Sequence, residues 1–496
     1  RSLGVEQEQR VLLALGDGVE FVATWYAVVK IGAVTAEAYT FLQPKDYEYF
    51  LNYTRARIAV VDRTTLEKIR SVAPSCPFLR RVLVVGTAED LRPNEASFQK
   101  LVASAPENLE AAHTSKDDIA LWKFTTGTTG APKGAVHAHY APYLSFRNYA
   151  LGVLGYRPDD IVLPVPKLFF GYARDCAVLF PFGVGAAAVV FPERSTPERL
   201  FELIAQHRPT IMIQVPTMIN AMARHPDAHR PDLSGLRLCT SAGEALPAEV
   251  YHQWKQAFGV EILDGIGSSE LYHIYISNRH GAVRPGSLGQ LVPGYRAEVL
   301  DPDGRPVPDG EVGELWVEGE TAALMYWGDR EKSLSTFQGN RVRTGDLVRH
   351  DADGYFWYQG RADDLVKISG IWVAPLEVEH CLQEHPVVRE VAVVGETVDG
   401  LTQLVAYMVT GDPRGRVDPG SLTAELQAHM RGRLAPHKAP REMRFVEALP
   451  RTPTGKVDRK ALKAGADVAS AAATNPERRG FLRGIDASVE RESDRG

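Results

Sequence analysis

Along the chain, apolar residues recur at helical spacing in some stretches and collapse into short β-branched runs in others. "VEFVATWYAVVKIGA" (19–33) carries apolar positions at a 3.6-residue period and predicts a helix, as does a stretch around 197–206. "RIAVVD" (57–62), "RRVLVVG" (80–86), "AAAVVFPE" (186–193) and "TIMIQVP" (210–216) predict strands. "RLCTSAGE" (237–244) and "VEILDGIGSSE" (260–270) read as strands that run out into polar, glycine-rich turns. From 284 to 360 the texture changes to glycine and proline turns between short strands, as in "LDPDGRPVPDGEVGELWVEGE", which predicts hairpins. After "YQGRADDLVKISG" the alternation resumes, with "PLEVEHCLQEHP" (375–386) helical and "VREVAVVGE" (388–396) and "QLVAYMVT" (403–410) as strands. The expected fold class is α/β. A large N-terminal domain of α/β layers covers 1–362, with a β-rich subdomain at 284–360, and a small α+β C-terminal domain covers 363–464. The remainder, 465–496, lacks a sustained apolar period and reads as a flexible tail.

Composition narrows the function classes. A chain of 496 residues that is 44% hydrophobic and 24% charged has enough apolar content for more than one core. A net charge of −6 without like-charge runs gives no footprint for nucleic acid. The longest apolar stretch, "AVLFPFGVGAAAVVF" (177–191), is broken by proline and glycine and falls short of the roughly 20 residues of a membrane span, so no membrane is expected. The opening "RSLGVEQEQRVLLAL" has neither Met nor a charged-then-apolar leader, which leaves open an earlier segment. Cys76, Cys176, Cys239 and Cys381 are isolated, without CxxC spacing, and fit a reducing cytoplasm.

The chemistry concentrates in "TTGTTGAPKG" (125–134). Its glycines, hydroxyls and lysine suit a polyphosphate, but the order departs from the P-loop pattern, and Pro132 removes one N–H donor just before Lys133. What remains is a loop able to close over an anion with backbone amides, Thr hydroxyls and an ammonium. Taken alone, it competes with a solvated Gly/Thr turn. "HAH" (137–139) lacks further His or Cys at ligand spacing and reads as structural. "DADG" (351–354) fails the calcium-loop pattern and reads as a hairpin turn.

With its neighbours, this loop resembles the signature of the adenylate-forming superfamily of acyl-CoA and aryl-CoA ligases, luciferases and adenylation domains. "TTGTTGAPKG", "GIGSSE" (265–270), "RTGDL" (343–347), "GRADDLVKISG" (360–370) and "PRTPTGKVDRK" (450–460) stand in that superfamily's motif order over nearly the whole chain. "KLFFGYARD", "SAGEALPAEV", "DGIGSSELYHIYISN" and "MYWGDREKSLSTFQG" are similar to its benzoate-CoA ligase branch. The resemblance implies an AMP-forming ligase for an aromatic carboxylate, using ATP, Mg²⁺ and coenzyme A, with a C-terminal domain that moves between two half-reactions. It implies three catalytic residues: Lys133 on the pyrophosphate, Glu270 on Mg²⁺, and Lys456 bridging carboxylate and α-phosphate. Thr125, Thr126, Gly127, Thr128, Thr129, Ser268 and Ser269 would contain the phosphates. Gly243, Glu244, Ala245, Gly265, Ile266 and Gly267 would sandwich the adenine, Asp264 would read its amino group, and Asp346 and Arg361 would hold the ribose. Phe169, Phe170, Gly171, Tyr172, Tyr272 and His273 would wall the aryl pocket, Asp363 would be the hinge, and Lys367, Ser369, Gly370 and Trp372 would face CoA.

Three departures carry weight. Ile266 replaces the superfamily's usual aromatic residue and Ser269 its threonine; an aliphatic face still packs on adenine and a hydroxyl still reaches a phosphate. Arg174 and Asp175 stand where small or apolar residues are expected, and read as a rim salt bridge, with a polar ring substituent (amino- or hydroxybenzoate) as the competing explanation. His273 and the aromatic residues can equally be ordinary core. Two other functions compete with the ligase: loading of an aryl acid onto a carrier protein, and a non-catalytic nucleotide-binding protein. A homodimer is compatible with all three.

Overall fold

The computed structural model describes residues 1–464 apart from 87–89, 126–130, 230, 369–370, 399–400, 412–418, 432 and 452–456; at 367, 371–372, 398, 401 and 419 it describes backbone only. The tail expected at 465–496 lies outside the described residues. The chain divides into two compact units, Arg1–Tyr358 and Gln359–Gly496.

In the large unit, strand Arg10–Ala14 lies between Val34–Glu37 and Ile58–Val61, followed on one side by Arg81–Val84 and Glu95–Ser97, all parallel. On the other side come Ile119–Thr125, then antiparallel Lys133–Ala138 and Met325–Tyr326. "IAVV" at 58–61 is buried throughout, as continuous apolar runs are when helices cover both faces of a parallel sheet. Helix Val19–Lys30 turns Phe21, Trp25 and Val28 inward at helical spacing. Asp62 starts helix Arg63–Val72 by accepting the Thr64 amide at 2.8 Å.

A second sheet runs parallel through Ile161–Pro164, Ile211–Gln214, Leu238–Ser241 and Ile262–Gly267, then turns antiparallel at Ile274–Ser277 and Gln290–Leu291. The strand expected over 186–193 shrinks to Ala187–Ala188, because it lies at this sheet's edge and pairs only with Ile161 and Val162. The third sheet is antiparallel, Tyr295–Leu300, Gly313–Gly319, Arg341–His350 and Phe337–Gln338, as the turn-rich texture of 284–360 predicts. A helix within that region, Arg330–Thr336, escapes the hairpin pattern; Asp329 caps it by accepting the Lys332 amide at 3.0 Å.

In the small unit, strands Val388–Val398, Leu401–Thr410 and Glu442–Phe445 form a sheet beside the hairpin Val366–Ile368/Ile371–Val373. Helix Pro375–Gln383 packs Val378, Cys381 and Leu382 on the sheet residues Val391, Val393 and Leu404. The mixed α/β architecture expected from the pattern is present. Among the described residues no helix is long and apolar enough to cross a membrane.

Candidate active site

Three of the predicted segments leave the carboxyl ends of parallel strands in the second sheet. Residues 167–172 follow Ile161–Pro164, residues 242–245 follow Leu238–Ser241, and 268–270 follow Ile262–Gly267. That end of an open parallel sheet is where such folds bind ligands. Gly243 makes its turn in the left-handed region, φ +94°, and a side chain there would meet the Phe170 ring at 3.6 Å. Half-buried Glu244 accepts the Thr217 hydroxyl at 2.8 Å, and Ala245 is half-buried on the same loop. Gly265 and Gly267 sit against the returning strand so closely that a Cβ would lie 2.6 Å from the Ile276 carbonyl oxygen and 2.4 Å from that of His273. Ile266, between them, packs on the main core. Asp264 is buried, and burial drives its carboxyl up to about 8.

Residues 268–270, which follow this strand, and Lys133 are both tied to the segment 326–329. Ser269 donates to the Phe124 carbonyl at 3.3 Å, and its own carbonyl is 2.7 Å from His137 Nε2. Ser268 Oγ accepts the Leu271 amide at 3.3 Å. Glu270 Oε1 accepts the Tyr326 hydroxyl at 2.6 Å. Lys133 Nζ lies 3.5 Å from Asp329 Oδ2 and 5.6 Å from the centre of the Tyr326 ring. Thr125 is paired with Lys133 across the antiparallel strands. One short segment, 326–329, therefore holds both the carboxylate and the ammonium that the motifs single out. Neither Tyr326 nor Asp329 is marked by spacing in the sequence, since they lie almost 200 residues from the lysine. Thr126, Gly127, Thr128 and Thr129, which complete the loop, lie outside the described residues, as does Lys456.

The aromatic residues expected around the aryl acid sit in contact with other rings. Phe169 meets Tyr39 and Phe41 edge-on at 4.8 and 5.7 Å, Phe170 meets Tyr172 at 6.0 Å, and the Tyr172 hydroxyl bonds Thr240 Oγ1 at 2.6 Å. His273 is buried with its ring centre 5.6 Å from Tyr172 and 5.1 Å from Phe180. Burial, and then the nearby Lys123 cation, lower its basicity to about 3, so the imidazole is neutral. Tyr275, like Tyr172 and Tyr272, belongs to the buried core.

The rim salt bridge expected of Arg174 and Asp175 is not found. Both are buried, 1% and 0% exposed, in a four-membered ionic cluster. Arg174 donates to Asp175 Oδ1 at 2.8 and 3.0 Å and to Glu37 Oε1 at 2.7 Å; Lys123 Nζ donates to Asp175 Oδ2 and to the Tyr272 carbonyl, both at 2.5 Å. These charges are tolerated in the interior because two cations and two carboxylates balance and hydrogen-bond one another. Burial pushes the Asp175 carboxyl up, but the Arg174 and Lys123 cations outweigh it and hold it at about 2. For Lys123 burial wins and lowers the ammonium to about 8. Gly171 makes room for this lysine: a Cβ there would stand 3.1–3.3 Å from its terminal atoms. Tyr272 lies under the ammonium, 3.7 Å from ring centre to nitrogen, and takes a left-handed backbone, φ +72°, unusual for a bulky residue. Sequence reasoning missed Lys123 and Glu37. The available signal was a lysine inside the apolar run "ALWKF", which demands a buried counter-charge.

Asp346 is buried in strand Arg341–His350 of the large unit. Arg361 ends strand Phe356–Arg361 and belongs, with exposed Asp363 in the turn Ala362–Asp364, to the small unit. Lys367 and Trp372 stand on the two strands of its hairpin, their side chains outside the described residues, together with all of Ser369 and Gly370. No group of three or more metal-ligating side chains occurs among the described residues. His137 is buried with Nε2 on the Ser269 carbonyl, a structural use of "HAH". "DADG" closes a turn through the Gly354 amide on the Asp351 carbonyl at 3.0 Å.

Comparison with known proteins agrees with this geometry. Residues 1–327 match the AMP-binding enzyme family and residues 377–456 the AMP-binding enzyme C-terminal domain. A benzoate–CoA ligase of Thauera aromatica is 42% identical over 460 residues, 92% of this chain and 86% of its own. The crystal structure of the anthranilate CoA ligase AuaEII in complex with anthranoyl-AMP superposes with a TM-score of 0.88 at 40% identity, covering 95% of this chain and 90% of that one. A benzoate CoA ligase from Burkholderia xenovorans LB400 gives 0.85 at 39% identity, covering 93% and 91%.

Proposed function

The chain belongs to the AMP-binding enzyme family, and from that premise we propose that it joins an aromatic carboxylate of the benzoate class to coenzyme A through an aryl-AMP intermediate. The observation that carries this reading is the anchoring of both Lys133 and Glu270 on one short segment, 326–329. In the first step a carboxylate oxygen attacks the α-phosphorus of ATP; a C–O–P linkage forms, the α–β P–O bond breaks, and pyrophosphate leaves. In the second, the thiol sulfur of CoA attacks the carbonyl carbon, the C–O bond to AMP breaks, AMP leaves and the thiol proton is lost to solvent.

The first step brings an anion against a polyanion, so charge neutralisation is the main demand. Lys133 and the hydroxyls of Thr125, Thr126, Thr128 and Thr129 hold the departing pyrophosphate, with Ser268 and Ser269 beside them, and Lys456 bridges the reacting carboxylate and α-phosphate. Each charge-assisted hydrogen bond of this kind contributes about 1.5–3 kcal/mol, or about one to two decades in rate. Mg²⁺ takes few protein carboxylates and keeps several waters, and a Glu270 carboxylate anchored through Oε1 with Oε2 left to a cation fits it. When bound there, the ion neutralises charge on the phosphates. Adenine lies between the 243–245 turn and Ile266, with Asp264 at its edge; Asp346 holds the ribose.

The small unit serves both steps. Lys456 acts in the first; the segment 367–372 lines the path of the CoA thiol in the second; and Asp363 absorbs the change between them. Four cysteines, all buried free thiols, fit a reducing compartment such as the cytoplasm. The test is benzoate-dependent pyrophosphate release followed by CoA-dependent AMP release. Pyrophosphate release that ignores the aromatic acid would overturn the reading.

A further inference from the structure

Lys133 is held from a side that no motif marks. The peptide groups before and after it are both taken up by phenol hydroxyls from one helix, Pro44–Thr54. Tyr49 Oη donates to the Pro132 carbonyl at 2.7 Å, and Tyr53 Oη accepts the Gly134 amide at 3.1 Å. The hydrogen of the Tyr53 hydroxyl goes to the Trp327 carbonyl at 2.6 Å, since a phenol can donate once and accept as well. Positions 49 and 53 are one turn apart on one helix face, and their rings stack with centres 5.3 Å apart and planes 15° from parallel. The same helix buries Tyr47, Phe50 and Leu51 in a core cluster, which gives the two phenols a fixed base. Both hydroxyls meet the outer edge of strand Lys133–Ala138, where Met325–Tyr326 has ended and Trp327 makes the last backbone bond, to the Gly134 carbonyl at 2.9 Å. Gly134 lets the Tyr53 ring come close: a Cβ there would stand 3.4 Å from it and 3.2 Å from Trp122. Burial pushes the Tyr49 phenol up to about 12 and raises that of Tyr53, so both keep their hydrogens at neutral pH.

We propose that Tyr49 and Tyr53 are positioning residues for adenylate formation: as a clamp on the peptide groups flanking Lys133, they fix the base from which its ammonium reaches the departing pyrophosphate. This deepens the ligase reading and rests on it, because it takes Lys133 as the cation on the pyrophosphate. A lysine is a point charge on a flexible stem, so its aim depends on how firmly its backbone is held. Displacing a reacting or stabilising group by about 1 Å can cost about a hundredfold in rate. Tyr53 does a second job through Trp327, which belongs to the segment that holds Lys133 through Asp329 and Glu270 through Tyr326. One helix face thereby sets the lysine and the carboxylate in register, and both phenols act through those residues without touching a reacting atom.

The test is the rate of aryl-AMP formation from ATP and benzoate in wild type, Tyr49→Phe, Tyr53→Phe and the double variant, each also in a Lys133→Met background, with a thermal melt of every protein. Phenylalanine keeps the stacked rings and removes only the hydroxyls. The double variant should lower kcat about tenfold and leave KM for benzoate within about twofold, because the clamp does not touch the acid. With Lys133→Met in place, the same two substitutions should change kcat by less than about twofold, since the side chain they aim is gone. A merely structural loss would instead multiply with that of Lys133→Met. Tyr53→Phe alone, compared in the same two backgrounds, decides the matter if the double variant melts below the assay temperature. A folded double variant within about twofold of wild type overturns the proposal, as do losses that multiply or that fall on KM for benzoate alone. Those results leave the ligase reading standing; a wild-type protein that forms no aryl-AMP from any benzoate refutes that reading itself.

Discussion

Replacing Asp175 by alanine removes the centre of a buried cluster in which two carboxylates balance two cations. The carboxylate accepts three hydrogen bonds, at 2.5, 2.8 and 3.0 Å, from Lys123 and Arg174. Without it Arg174 keeps Glu37, but Lys123 keeps only the Tyr272 carbonyl and ring, leaving one unbalanced charge in the interior. Breaking a buried pair by removing one partner costs about 3–5 kcal/mol. With an unfolding entropy of about 2.1 cal/mol/K per residue, the large unit Arg1–Tyr358 has about 0.75 kcal/mol/K in total, so the expected fall in Tm is about 4–7 °C. Lys123→Met should cost a similar amount, for the orphaned charge is then Asp175 facing a single guanidinium. The double variant Lys123→Met/Asp175→Ala leaves the neutral pair Arg174–Glu37. It should therefore melt near either single variant instead of at the sum of the two losses, a coupling of about 3 kcal/mol. Thermal melts of the four proteins followed by near-ultraviolet circular dichroism decide the matter. Single variants that melt within 1 °C of wild type, or losses that simply add, would refute the account of a mutually neutralised quartet.

Glu270→Gln and Lys133→Met should each lower aryl-AMP formation by about one to two decades while leaving the fold intact, checked by pyrophosphate release beside a melt. Asp264 is held protonated up to about 8 by burial, whereas the unfolded chain gives up that proton near pH 4; stability should fall as pH rises from 4 to 8. Asp264→Asn should flatten that slope, and denaturation midpoints at several pH values that keep the wild-type slope would contradict it. Lys456→Ala should abolish aryl-AMP formation yet leave CoA transfer from supplied aryl-AMP largely intact. Asp363→Pro, by fixing φ in the turn Ala362–Asp364, should do the converse; single-turnover kinetics of each half-reaction separate the two.

The parallel strands were legible because burial on both faces leaves an unbroken apolar signature, as in "RIAVVD", and the glycines of "GIGSS" were legible because close backbone approach admits nothing larger. Edge position was not: "AAAVV" has the composition of a central strand, and only its single neighbour reduces it to two residues. The helix Arg330–Thr336 was hidden by its polarity, since one turn or two of exposed Arg, Glu, Lys and Ser carries no apolar period. Motif order placed Lys133 and Glu270, but Tyr326 and Asp329, which hold them, act through pairing of Met325–Tyr326 with Val136 and Ala135, a contact that no local pattern encodes. Arg174 and Asp175 were misplaced on a rim because charge was weighed against one partner; the structure supplies Glu37 and Lys123 from strands far away in sequence.

The proposed ligase carries an aromatic acid through an enzyme-formed acyl adenylate to CoA. The most direct test is a single turnover with ATP and carboxyl-labelled benzoate, quenched before and after addition of CoA and analysed for both products, with acetate and hexanoate in parallel. Labelled aryl-AMP should accumulate without CoA and convert to the labelled thioester, with release of AMP, when CoA is added. The aliphatic acids should react at least tenfold less efficiently. Acetate reacting as well as benzoate would contradict the aryl assignment. Aryl-AMP that persists in the presence of CoA yet acylates a carrier-protein pantetheine would contradict CoA as acceptor.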